Sequence, residues 1–107
     1  MQVKSIEIYY DVKSIPGLGN GDPVRALDFR NAAMELIENA LLDADAGEWA
    51  GAELGANGET GEPEVNFGFD VTDFDRAEAV VRATVKGTPY ENIRVIERQS
   101  FDPNDFA

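Results

Sequence analysis

Carboxylates are the main chemical resource of this chain. Asp and Glu number 21, Lys and Arg number 9, and there is no His and no Cys. Two acidic groupings are close enough in sequence to act on a cation: Asp70, Asp73 and Asp75, and Asn57, Glu59, Glu62 and Glu64. Oxygen ligands of this kind suit Ca²⁺, but neither grouping follows the D-x-[DN]-x-[DN]-G-x5-E loop. Asp73 and Asp75 also fit the start of a helix, where carboxylates meet free amides. Gly17-x-Gly19-x-Gly21 lies between a strand pattern and a helix pattern and matches half of a phosphate loop. The rest of that motif is missing: no Lys-Ser/Thr follows, and Asp22 stands where the phosphate would sit and would repel it. Paired carboxylates can serve as acid and base. Without His, Cys or a placed Lys, no nucleophile–base arrangement can be drawn. The expectation is a protein that binds rather than catalyses, with no metal and no other cofactor.

The charge balance indicates what it would bind. The formal net charge is −12, and the lysines are Lys4, Lys13 and Lys86 alone. Such a field repels phosphate backbones and anionic membranes, and no Lys/Arg cluster exists to overcome it. The expected partner is a basic protein surface, with no direct nucleic acid and no membrane. The same acid excess also serves solubility in a saline habitat, with no basic partner at all. No run approaches the roughly 20 apolar residues of a membrane span, and no basic-then-apolar leader opens the chain, so a cytoplasmic location is expected. Absence of Cys excludes a disulfide framework and thiolate metal sites.

The elements that must position these residues follow from periodicity. Over 5–12, Ile6, Ile8, Tyr10 and Val12 alternate with Ser5, Glu7, Tyr9 and Asp11, the pattern of a half-buried strand. Asp22-Pro23 reads as cap and first turn of a helix to about residue 45, with Leu27, Phe29, Ala33, Met34, Leu36, Ile37, Ala40 and Leu41 on its apolar face. A weak strand over 48–55 would turn Ala50, Ala52 and Leu54 inward, and Trp49, Gly51 and Glu53 outward. A hairpin loop carrying Glu59 and Glu62 follows. The clearest strand, 64–71, sends Val65, Phe67, Phe69 and Val71 inward, and Glu64, Asn66, Gly68 and Asp70 outward. Thr72-Asp73-Phe74-Asp75 opens a second helix in capping-box style, and Gly87 ends it. The last strand, 93–98, is read with Arg94, Ile96 and Arg98 outward.

The order β-α-β-β-α-β predicts an α+β, ferredoxin-like sandwich: a four-stranded antiparallel sheet of order 4-1-3-2, with both helices on one face. Residues 1–99 would form the single domain and 100–107 a short acidic tail. The sheet face away from the helices would then carry Glu7, Tyr9, Asp11, Trp49, Glu53 and Asp70, with Glu59 and Glu62 in the neighbouring hairpin. Tyr and Trp amid carboxylates suit the anchoring of a basic partner. The simpler reading is a solvated charged face with Arg94 and Arg98 pairing with Glu7 and Asp11.

In architecture and charge the chain resembles the small acidic inhibitors found among bacterial toxin-immunity proteins and phage anti-CRISPR proteins. The residues behind the resemblance are Glu7, Asp11, Glu53, Asp70, the hairpin Gly58-Glu59-Thr60-Gly61-Glu62, and Tyr9 and Trp49. It implies an inhibitor, monomeric or dimeric, that occludes a basic surface of a toxin, nuclease or CRISPR effector. The alternative is a ferredoxin-like module that binds a small ligand or regulates.

Overall fold

A computed structural model describes residues 3–12, 23–56 and 63–101, with the backbone alone at 23–25, 52–56, 63 and 101. The glycine-rich loop with Asp22, the hairpin with Glu59 and Glu62, and the tail from 102 lie outside the described residues. Six elements run in the expected order: β1 (Val3–Asp11), α1 (Pro23–Asp43), β2 (Gly47–Ala56), β3 (Pro63–Val71), α2 (Phe74–Val85) and β4 (Val95–Phe101). They form one antiparallel sheet of order β2-β3-β1-β4, the ferredoxin-like arrangement.

Strict alternation decides which side of β1 and β3 is sealed. Ile6, Ile8, Tyr10, Val65, Phe67 and Phe69 are all buried under the helix layer. There they meet Ala26, Ala33, Ile37 and Leu41 of α1 and Ala77, Val81 and Val85 of α2, spaced four or seven residues apart so that each helix presents one face. The ring centroids of Phe67 and Phe69 lie 5.8 Å apart, edge to face. Ile37 joins this core as expected and Val80 packs against it, partly buried, whereas Leu27 is half-buried and Ala26 holds the core position at that turn.

The helix ends are chemically defined. α2 is capped by Asp73, one residue later than the capping-box reading placed it, with its Oδ1 accepting from the Arg76 amide at 3.0 Å. α1 ends at Asp43, and two residues on, Asp45 adopts φ 51°. The Asp45 amide donates to the Leu42 carbonyl (3.1 Å), and that of Ala46 to Leu41 (2.9 Å), the pair of bonds of a Schellman ending. This turn delivers the chain to the edge strand β2. No helix among the described residues is long and apolar enough to cross a membrane.

Two strand phases differ from expectation. A bulge between Trp49 and Gly51 adds one residue to β2. After it, Ala52 and Leu54 stand opposite Phe67 and Val65, at helix-side positions as expected. Before it the phase reverses: Trp49 pairs with Phe69 and Glu48 with Asp70. Directly paired residues share a face, so Trp49 belongs to the helix side and Glu48 to the open face. In β4, Ile8 pairs with Ile96 and Ile6 with Arg98, which puts Ile96 (9% exposed) and Arg98 on the helix side. β4 also extends to Phe101, two residues into the stretch read as tail.

Candidate functional site

The open face is a set of rows crossing the strands at right angles. From β2 to β4 the first reads Glu48, Asp70, Ser5, Gln99, and the next Gly51, Gly68, Glu7, Glu97. Then come Glu53, Asn66, Tyr9, Val95, and last Gly55, Glu64, Asp11. Alternation along β1 and β3 places these side chains together because the residues between them are committed to the core.

Tyr9 is the centre of this face. Its ring is half-buried and lies under the Arg94 guanidinium, whose carbon stands 5.3 Å from the ring centroid. Arg94 precedes β4, and its amide donates to the Tyr9 carbonyl at 2.8 Å, which fixes the backbone from which the side chain reaches over. The guanidinium pairs with Asp11 (Nε–Oδ1 2.9 Å) and Glu64 (Nη2–Oε2 2.5 Å), the directly opposed carboxylates of the last row. The acidity of the Tyr9 hydroxyl is weakened, first by burial; a hydrogen bond with Asn66 opposes this, and the charges of Glu97, Glu7 and Glu64 add to it. A phenol surrounded by carboxylates on three sides stays neutral, so the ring offers an uncharged, partly apolar surface inside a negative field.

The row below Tyr9 has little side-chain bulk on one half and two carboxylates on the other. A Cβ at Gly68 would stand 2.5 Å from Glu7 Oε1, so the Glu7 carboxylate lies across the space that the glycine leaves. Glu7 in turn stands directly opposite Glu97. Like charges in such a cross-strand pair lower stability by a few tenths of a kcal/mol or more, roughly up to 1.

The structure therefore brings Glu7, Tyr9, Asp11 and Asp70 onto one face. Glu53 occupies a ladder position opposite Asn66 on that face, though its side chain is not among those described. Trp49, expected beside them, is 50% exposed on the helix side of the edge strand. Glu59 and Glu62 fall outside the described residues. Sequence reasoning missed Glu97 and Glu48, because the phases of β4 and of the start of β2 were inverted. It expected Arg94 and Arg98 to pair with Glu7 and Asp11, and of these the structure shows Arg94 with Asp11. Arg98 instead reaches α2, with its Nε 2.6 Å from Glu78 Oε2 and its Nη2 2.8 Å from Asp75 Oδ1, its guanidinium over the Phe74 ring at 5.4 Å. These contacts raise its basicity, the Glu78 hydrogen bond most.

Cation chemistry at the start of α2 is accordingly occupied by structure: Asp73 caps the helix and Asp75 pairs with Arg98. Among the described residues no group of three or more carboxylates is arranged to hold a metal ion.

No family model matches the chain, and no curated protein matches it. Among solved structures it is similar to the C-terminal domain of the MgtC protein from Mycobacterium tuberculosis, with 10% sequence identity and a TM-score of 0.48, over 96% of this chain and 90% of that one.

Proposed function

We propose that this chain is an acidic inhibitor or immunity-type protein, which covers a basic surface of a partner protein with the open face of its sheet. The observation behind the reading is the composition of that face. Glu7, Asp11, Glu48, Glu64, Asp70 and Glu97 surround a half-exposed tyrosine, and Arg94 is the one guanidinium over them among the described residues.

The mechanism is steric. Long-range attraction steers a basic surface onto the face, and the Tyr9 ring supplies apolar contact area once water leaves. Carboxylates stand where a nucleic acid or other anionic substrate would present its charges, so the partner's own substrate is displaced. A toxin, a nuclease or a CRISPR effector with a basic channel is the kind of target this serves.

The test is capture of binding proteins from the source cell on the immobilised chain, followed by association kinetics with the purified partner. Association should be fast at low ionic strength and slow steeply as salt screens charges beyond about 10 Å at 0.1 M. A chain that captures no protein and instead retains a small molecule would sink the proposal.

A further inference from the structure

The open face ends in a groove that the docking reading does not use. At the foot of the sheet, where β1 and β2 begin and β3 ends, a groove of about 460 Å³ passes from the helix layer to the open face. Its walls include Leu42, Asp45, Glu48, Asp70 and Val71, and the start of β1 with Lys4. Leu42, on the last turn of α1, is 52% exposed and gives the groove an accessible apolar wall. The Schellman turn fixes Asp45 beside it. Glu48 and Asp70 are direct cross-strand partners, so two carboxylates lie side by side at the mouth. Among the described residues neither takes part in an ion pair. The Lys4 ammonium is engaged elsewhere, 5.7 Å from the centroid of the Phe74 ring.

We infer that this groove receives an arginine side chain of the partner protein. The inference rests on the reading of the open face as a docking surface, with which the Glu48–Asp70 row is continuous. Charge complementarity selects a cation. The pairing of two adjacent carboxylates with an apolar wall selects arginine, whose planar fork can donate to both while its aliphatic stem covers Leu42. Arg94 shows the same chemistry within the chain, since it spans the opposed Asp11 and Glu64 with its guanidinium against a ring.

The experiment titrates the full ¹⁵N-labelled chain with acetyl-Gly-Arg-Leu-Gly-amide and with the peptide in which neutral citrulline replaces arginine. The arginine peptide should give saturable amide shifts centred on Leu42, Asp45, Glu48 and Asp70. Citrulline, and the double variant Glu48→Gln/Asp70→Asn, should each weaken binding about tenfold or more, the loss expected when a charge-assisted pair goes. The control Asp28→Asn/Glu35→Gln, on exposed positions of α1, should change it by less than about twofold. The inference is overturned if shifts spread without saturation over every acidic position, or if the double variant binds as well as the parent. It is also overturned if sedimentation shows the chain to be a dimer that Leu42→Lys converts to a monomer. If the groove fails these tests while changes around Tyr9 still abolish partner capture, this inference falls alone. If changes around Tyr9 leave capture intact, the docking reading falls first.

Discussion

Tyr9 and Tyr10 are neighbours in sequence and face opposite sides of the same strand. Tyr10 is 1% exposed, packs edge to face on Phe29 at 5.1 Å, and donates its hydroxyl to the Tyr90 carbonyl at 2.7 Å. Tyr9 is half-buried, with a guanidinium on its ring and carboxylates around its hydroxyl. The same side chain is a core residue on one face and, under the proposed function, a recognition surface on the other. The difference shows how the fold divides labour. The helix side gathers the apolar area that stabilises the domain. The open face carries the acids, with Glu7 and Glu97 directly opposed among them.

The division can be broken most forcefully at Phe69. Its removal as Phe69→Ala leaves a cavity beneath a fully buried ring and should cost about 3–5 kcal/mol, read from chemical denaturation. A loss below about 1 kcal/mol would mean that the helix side is not where stability resides.

Tyr10→Phe is a finer probe. It deletes the hydrogen bond to Tyr90 and should cost about 1 kcal/mol at neutral pH. Burial raises the Tyr10 pKa above its ordinary 10.0, because the phenolate would be desolvated. The neutral form therefore stabilises the folded state fully below pH 10, and that contribution is lost as pH rises through the raised folded value. Stability of the parent should decline above pH 10, and the variant should decline less; identical alkaline profiles would contradict the burial assigned to Tyr10.

The smallest effect has the opposite sign. Glu97→Lys replaces a like-charge pair with an opposite-charge one against Glu7, and should raise stability by about 0.5 kcal/mol while weakening partner binding. A variant that gained stability and bound equally well would leave the acids of this row without a role in recognition.

Much of this division is legible in the sequence. The alternation of β1 and β3 is unbroken, so Glu7, Tyr9, Asp11 and Asp70 could be assigned to one face and Phe67 and Phe69 to the other. The edge strands were harder. In β2 a bulge shifts the phase, and the only trace in sequence is a glycine, Gly51, inside a weak strand. Trp49 was therefore expected on the wrong side and Glu48 overlooked. In β4 the adjacent apolar residues Val95 and Ile96 fit either phase. Pairing with Ile8 across the sheet decides it, and local sequence carries no information about that register. The partners of Arg98 on α2 depend on the same tertiary choice.

The central claim is that placement of charge on the open face, rather than net charge, recruits a partner. Two double variants make the same change in charge in different places: Glu7→Lys/Glu97→Lys on the open face, and Asp28→Lys/Glu35→Lys on exposed positions of α1. Affinity for the captured partner should fall about thirtyfold or more for the first, and by only a small, salt-sensitive amount for the second. Equal losses in both would show that the field of the whole molecule does the work and that the open face is not the binding surface.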